Sequence, residues 1–323
     1  MTMLPQTSAE TQHSPGLDTV SEHERDIAER EHHERVAAYT RDFLDRRHEG
    51  KKHPVEDFLF TYYSHSPGQL SRWHAGAGTV VEETPERPRL SWKFYAPATV
   101  ETPQGRRLEG STVDVVRFRA ERASIIDFAR RLLSTTARKP AQLGCFGLHE
   151  WAMVYRSEHH GQRHEKVPLR LGAEGTDDVV ESLNIRCTHF DAYRFYTPSA
   201  APLNEHTPTR QTQAQMEQPG CLHANMDLYK WAYKLVPAVS SDLLLDCFDL
   251  AWRIRDLDMR ASPYDLREWG YEPVPVETPA GRAAYARAQK GFAEEANALR
   301  QRLLSSLDRI DDLAGTTGIT PDG

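Results

Sequence analysis

The sequence predicts an α+β fold: a helix-dominated single large domain with one modest, mainly antiparallel sheet. Apolar residues recur at helical spacing through most of the chain from residue 222 to residue 312. Short stretches rich in β-branched and aromatic residues, separated by Gly and Pro, lie between residues 79 and 119. The length of 323 residues is enough to bury a large core, and no internal repeat divides it.

The elements are expected in the following order. Residues 1–20 are polar and predict a disordered tail, and residues 21–50 predict a charged helical arm that ends at Gly50. A single catalytic or binding domain follows over 51–312, and a second disordered tail over 313–323. Within the domain we expect helices at 54–66, 124–138, 176–183, 221–237, 241–261 and 280–312, and strands at 79–83, 89–103, 111–120, 167–171 and 185–196.

Composition excludes some classes of protein. The chain has 40 Lys and Arg against 47 Asp and Glu, a net charge of −7. It therefore does not carry basic charge over its whole surface, as a protein that binds nucleic acid on every side would. No stretch of 18 apolar residues predicts a membrane span, and the N-terminus lacks the apolar region of a secretory signal. Four scattered cysteines without a CxxC pair indicate reduced thiols and a cytoplasmic location.

The strongest candidate site lies in the segment Gln218–Lys230. A helix that begins near residue 222 would place His223, Asp227 and Lys230 on one face, since residues three and four apart are neighbours on a helix. Asp227 could act as a base or stabilise charge, and Lys230 could clamp a phosphate or act as an amine nucleophile. The alternative is a solvent-facing stripe with an ordinary Asp–Lys pair.

Two further segments combine histidine with carboxylate. Alternation along the predicted strand 185–196 would put His189 and Asp191 on one face, which suits metal binding or an oriented acid–base pair. His149 and Glu150 lie in an apolar run that resembles the start of a zinc-binding HExxH motif but lacks its second histidine. The alternatives are a satisfied His–Asp contact in the first segment and a hydrogen-bonded core histidine in the second.

Aromatic and basic side chains are interleaved after residue 53. His53 and Asp57 are four residues apart on the predicted helix 54–66 and so share a face. The pattern suits base stacking and phosphate contact through four residues that follow: Tyr62, Tyr63, Arg72 and Trp73. The same pattern also suits an ordinary aromatic core.

Charge is unevenly distributed along the chain. Between Arg106 and Lys139 there are nine basic and four acidic residues, a local charge of +5. This segment, with Arg130 and Arg131 on its helix, is the best candidate for a phosphate-facing surface. A solvated helix and hairpin would explain the composition equally well.

Several long blocks together resemble a bacterial family labelled 3-methyladenine DNA glycosylase. The resemblance runs from about Lys51 to Ala293 and rests on these blocks: HPVEDFLFTYYSHSPGQLSRWH, CFGLHEWAMVYR, THFDAYRFYTP, EQPGCLHANMDLYKWAYKL and LDMRASPYDL. It implies an enzyme that hydrolyses the N-glycosidic bond of a modified base in DNA, without a cofactor. The helix-hairpin-helix pattern of the best-known alkylation-repair glycosylases is absent. No site residue is carried over from the family.

For that activity the residues predict a mechanism. The base would be flipped out of the duplex and stacked between aromatic rings, with Asn225 among the groups that bind it. Asp227 or Asp191 would stabilise the positive charge that develops on the sugar. The departing base would be protonated or hydrogen-bonded by a histidine: His223, His149 or His189.

Two other classes remain open. A metal-dependent hydrolase could bind Zn, Mn or Fe through a His and carboxylate set drawn from separate segments: His53, Asp57, His149, His189, Asp191 and His223. A non-enzymatic nucleic-acid or nucleotide-binding protein is the third class. Metal content separates the hydrolase from the glycosylase, and the convergence of the histidines and Asp227 in one pocket would support either enzyme.

Overall fold

The computed structural model describes residues 17–84, 88–102, 105–162 and 166–317. Over these residues the chain forms 13 α-helices and one four-stranded sheet, which confirms the predicted helix-dominated α+β class. None of the helices in the described part of the chain is long and apolar enough to cross a membrane.

The helices and strands have the following bounds. The helices are α1 Glu22–His48, α2 Phe58–Tyr62, α3 Pro67–Leu70, α4 Val115–Glu121, α5 Ala123–Ala137, α6 Leu148–Ala152, α7 Ser157–His160, α8 Gly172–Ser182, α9 Phe190–Tyr193, α10 Gln213–Met216, α11 Leu222–Lys234, α12 Ser241–Arg260 and α13 Pro279–Thr317. The strands are β1 Asp18–Val20, β2 Thr79–Glu82, β3 Tyr95–Glu101 and β4 Arg107–Val113.

The sheet has the strand order β1-β2-β4-β3. Its β1–β2 pair is parallel and the other two pairs are antiparallel, so the sheet is mainly antiparallel as predicted. The pairing of Asp18 with Thr79 and of Val20 with Val81 corrects the expectation of a tail up to residue 20. Residues 1–16 of that predicted tail lie outside the described residues.

The core is centred on α12, which packs against α11 and α13. Apolar residues at helical spacing on α12, such as Leu244, Phe248 and Ile254, are fully buried, because the helix has neighbours on several sides. Helix α1 begins with a capping box and contributes Val36 and Phe43 to this core. The charged arm predicted for residues 21–50 is therefore a helix packed against the main body.

Two predicted strands near the site are wrong. Residues 185–196 contain only an isolated bridge followed by the single turn of α9, because the Asn204 side chain bonds both the backbone N–H and the carbonyl of Cys187. Residues 167–171 contain only the bridge of Leu169 with Tyr264. Histidine and carboxylate side chains near residue 190 are thus placed by a turn and not by strand alternation.

Other predicted boundaries also shift. The helix expected over 54–66 is reduced to α2, because the side chains of His53 and Asp57 bond backbone N–H groups of a preceding turn. The strand expected over 111–120 ends at Val113, and the Asp114 side chain then caps α4. Helix α13 continues to Thr317, so the second tail does not begin at residue 313.

Candidate metal centre

Helix α11 brings the predicted His223, Asp227 and Lys230 to one face, as their spacing requires. The turn before the helix is fixed by Gln218, whose Oε1 accepts the backbone N–H groups of Gln142 (2.9 Å) and Gly220 (2.7 Å). These two hydrogen bonds set where α11 begins, and so they set the position of His223, the first candidate metal ligand on the helix.

The first group of converging ligand atoms is formed by His149, His223 and Asp258. One potential ligand atom from each residue lies within 4.8 Å of the other two. His149 Nε2 is 3.1 Å from Asp258 Oδ1, and the rings of His149 and His223 meet edge to face with centroids 4.4 Å apart. Three segments distant in the sequence therefore meet here, on α6, α11 and α12.

The second group is formed by His189, Glu217 and Asp227, whose ligand atoms also lie within 4.8 Å of one another. His189 Nε2 is 3.4 Å from Glu217 Oε1 and 3.5 Å from Asp227 Oδ2, and neither nitrogen of His189 makes a hydrogen bond to the described residues. The ring of His223 lies 5.4 Å from that of His189, so the two groups are adjacent.

Charged and polar neighbours hold Asp227 in place. Lys230 Nζ contacts Asp227 Oδ2 at 2.8 Å and Asp191 Oδ2 at 3.1 Å, and the Tyr63 hydroxyl donates to Asp227 Oδ1 at 2.9 Å. Burial alone would raise the pKa of Asp227, but Lys230 and His189 hold it well below its usual range. Asp227 is therefore an ionised carboxylate, and Lys230 is a charged counterion rather than a free amine nucleophile.

The surroundings also shift the pKa values of three further groups at the centre. Burial and the neighbouring His149 hold the pKa of His223 well below its usual value, so its ring is neutral and able to bind a cation. Burial opposes ionisation of Asp258, but His149 lowers the pKa of that carboxyl to about 2. Burial raises the pKa of Glu217, and the neighbouring His189 and the hydrogen bond from Gln213 oppose that effect only in part.

A cavity of about 250 Å³ opens beside the centre. Its polar lining residues include His223, Glu150, Asp191 and Arg255. Its walls are aromatic and apolar: Phe58, Tyr62, Met153, Ala192 and Phe195. The rings of Phe58 and Tyr62 are stacked with centroids 4.8 Å apart. A separate void of about 10 Å³, roughly the room that one water needs, adjoins both His149 and His223.

The backbone before α6 is strained. Phe146 has φ 46° and Gly147 has φ 70°, a left-handed pair that starts the helix carrying His149 and Glu150. Glu150 is buried, and its Oε1 accepts from Arg255 Nη1 at 3.1 Å. The other oxygen, Glu150 Oε2, has no hydrogen-bond partner among the described residues.

The structure does not bring His53 and Asp57 to either ligand group. His53 Nδ1 accepts the N–H groups of the following turn, and Asp57 is paired with Arg46 at 2.8 Å. Both residues are thus used to hold the segment that leads into α2.

The predicted base-binding residues are dispersed. Tyr62 and Tyr63 lie at the centre, whereas Arg72 and Trp73 line a different cavity of about 260 Å³. Asn225 is fully buried, and it donates to the Pro219 carbonyl and accepts from Arg300, so it joins α11 to α13.

The basic residues of the predicted phosphate-facing surface make contacts within the fold. Arg130 forms ion pairs with Asp308 and Asp311 of α13, and the Arg131 guanidinium lies over the Phe128 ring at 5.3 Å. Lys139 donates to three backbone carbonyls around α10, including that of Glu217 at 2.6 Å. Arg130 thus links α5 to α13, Lys139 links the end of α5 to the segment around α10, and binding of a polyanion here stays a prediction.

Sequence reasoning missed Glu217, Asp258 and Arg255. Asp258 is a carboxylate within the apolar stripe of α12, between Leu257 and Met259, and that interruption is the signal that could have identified it. Glu217 stands immediately before the Gln-Pro-Gly turn and carries no local signal, since its partners come from the turn that contains His189 and from α11.

Comparison of the chain with protein-family models, with curated proteins and with solved structures found no match.

Proposed function

We propose that this protein is a metal-dependent hydrolase whose catalytic ion is bound by His149, His223 and Asp258. The observation that carries the proposal is the convergence of these three ligand atoms within 4.8 Å at the edge of a cavity that His223 lines. Two imidazoles and a carboxylate suit Zn, Mn or Fe. Asp258 Oδ1 lies 3.1 Å from His149 Nε2, so the carboxylate and the imidazole could share one ion.

The chemistry divides between the ion and the side chains. When bound, the ion would supply a hydroxide at neutral pH or polarise a substrate oxygen. Glu150 lines the cavity, and its Oε2 makes no hydrogen bond to the described residues, so this carboxylate would accept the proton of the attacking water. Arg255 would stabilise negative charge that develops on the substrate. The stacked rings of Phe58 and Tyr62 would hold a flat part of the substrate.

Metal content and hydrolysis test the proposal together. We expect protein purified from metal-free buffer and reconstituted with Zn²⁺ or Mn²⁺ to retain at least one ion and to hydrolyse small ester, amide or phosphoester substrates. Asp258→Asn should lose the ion at the cavity and should hydrolyse these substrates at least 100-fold more slowly. Glu268→Gln, the matching loss of charge at an exposed carboxylate, should retain both. A protein that binds no ion would overturn the proposal.

Metal identity also decides the reaction class. Two histidines and one carboxylate also hold Fe²⁺ in oxygenases. Activity with Zn²⁺ under anaerobic conditions supports hydrolysis, whereas Fe²⁺-dependent consumption of oxygen without hydrolysis would contradict it.

The cavity favours a DNA glycosylase as the second candidate. Its aromatic walls and the carboxylate of Asp191 could stack a flipped base and face the sugar. Asp191 suits the role better than Asp227, because Asp191 lines the cavity and Asp227 does not. Incubation with alkylated duplex DNA in EDTA tests it: release of base by wild type and not by Asp191→Asn supports this candidate, and no release contradicts it.

A non-enzymatic nucleotide-binding role and a cytoplasmic location both stay predictions. All four cysteines are unpaired, which agrees with a reducing compartment. Binding of nucleotides that Asp258→Asn leaves unchanged, without turnover, would favour the non-enzymatic role.

A further inference from the structure

The second ligand group, His189, Glu217 and Asp227, is buried more deeply than the first. All three side chains are at most 3% exposed, and none of them lines the 250 Å³ cavity. Neither nitrogen of His189 has a hydrogen-bond partner among the described residues. A buried imidazole whose nitrogens make no hydrogen bond is costly, and Nε2 faces the Glu217 and Asp227 carboxylates at 3.4 and 3.5 Å, an arrangement that suits a cation shared by the three side chains.

The carboxylates of this group are oriented by residues around them. Gln213 Nε2 donates to Glu217 Oε1 at 2.6 Å, and the Tyr63 hydroxyl donates to Asp227 Oδ1 at 2.9 Å. Hydrogen bonds of this kind fix metal ligands in place before the ion arrives. The group is therefore a built site rather than a chance meeting of acidic residues.

The two ligand groups differ in the total charge of their side chains. With a metal ion bound, the His189 ring would be neutral and the Glu217 and Asp227 carboxylates ionised, so the three ligands would carry −2, which one divalent cation cancels. The first group has only one carboxylate, so its ion keeps a charge of +1 that a bound hydroxide or an anionic substrate can neutralise. We propose that His189, Glu217 and Asp227 bind a second divalent cation at a site closed to solvent, called the closed ion below. This ion would fix the position of the adjacent His223 ring, which binds the cavity-facing ion.

This inference rests on the proposed function and adds a second ion to the same centre. The number of metal ions bound per chain distinguishes the two proposals. We expect the full-length protein, reconstituted with Zn²⁺ and freed of excess, to bind two equivalents. Glu217→Gln and Asp258→Asn should each bind one, and Glu268→Gln, at an exposed site, should bind two. One equivalent in wild type, lost in Asp258→Asn but kept in Glu217→Gln, overturns the second site alone. No bound metal overturns both proposals.

Release kinetics give an independent measurement on wild type, so the inference does not depend on a variant that folds. With a chromogenic chelator in excess, the cavity-facing ion should leave at least 10-fold faster than the closed ion, giving two phases of equal amplitude. Only the fast phase should remain in Glu217→Gln. A single phase of one equivalent in wild type would contradict the second site.

Discussion

The Tyr63 hydroxyl is the donor that holds Asp227 Oδ1, and its removal should weaken the closed ion without touching a ligand. For Tyr63→Phe we expect roughly 10-fold weaker binding of the second equivalent, the lower end of the effect for groups that orient metal ligands. Competition with a chelator of known affinity measures it. Tyr229→Phe is the control, because that buried hydroxyl has no hydrogen-bond partner among the described residues. Equal affinities in both variants would show that Tyr63 does not orient the site.

His74 makes stability depend on pH. Burial, with a smaller effect from Arg89, lowers the pKa of His74 to about 3 in the folded chain, against about 6.5 when unfolded. Between these values only the unfolded chain binds the proton, so stability falls as the pH falls below 6.5. From pH 7.5 to 5.5 this group should cost about 1.4 kcal/mol of unfolding free energy.

Urea unfolding at both pH values tests this. His74→Gln should reduce the loss of stability on acidification by that amount, whereas His159→Gln, at an exposed position, should leave it unchanged. The same loss in the His74 variant as in wild type would mean that His74 is protonated in the folded protein.

At the scale of elements, the turn before α11 depends on the close approach of Gly220 to the chain at residue 142. A Cβ on Gly220 would lie 2.3 Å from the backbone oxygen of Gln142, and backbone cannot move away as a side chain can. Gly220→Ala should therefore cost about 2 kcal/mol or more and shift the start of α11, with weaker metal binding at His223.

The control for this change is Gly144→Ala, in the segment that precedes α6. A Cβ at Gly144 meets nothing within 4 Å, so its stability and metal content should stay close to wild type. Thermal unfolding and metal analysis of the two variants make the comparison. If Gly220→Ala matched Gly144→Ala, the tight approach would have no part in positioning the helix.

The elements also show what the sequence could predict. The face of α11 that carries His223 and Asp227 follows from helical spacing alone, because the helix is long enough for its period to be read. The segment 185–196 has the aromatic and β-branched composition of a strand, yet the Asn204 amide takes the backbone partners that a neighbouring strand would supply. Such a tertiary contact leaves no periodic signal.

At the scale of the whole molecule, contacts between distant segments also decide which charges are paired, and local sequence patterns do not show these contacts. Counting residues between Arg106 and Lys139 predicts a basic surface, but the acidic partners of Arg130 lie about 180 residues away on α13. Asp258 interrupts the apolar stripe of α12, but its pairing with His149 could not be predicted, since the two residues are 109 positions apart. The candidate centre consists of contacts between distant segments, whereas helical and strand periodicity are local patterns.

Metal binding should stabilise the whole fold, because the two ligand groups join α6, α11 and α12 with the turns that carry His189 and Glu217. An ion at 1,000 times its dissociation constant adds about 4 kcal/mol to a folded state that alone binds it. For a chain of this size that corresponds to a melting temperature about 5–10 °C higher than that of the metal-free protein.

Thermal unfolding of wild type with and without EDTA measures this difference, and re-addition of Zn²⁺ should restore it. In a variant that carries both Glu217→Gln and Asp258→Asn, EDTA should leave the melting temperature unchanged, because each ligand group has lost a carboxylate. Single variants should show an intermediate shift, since one ion remains to connect part of the centre. If EDTA lowered the melting temperature of the double variant as much as that of wild type, the stabilising ion would be bound elsewhere in the chain.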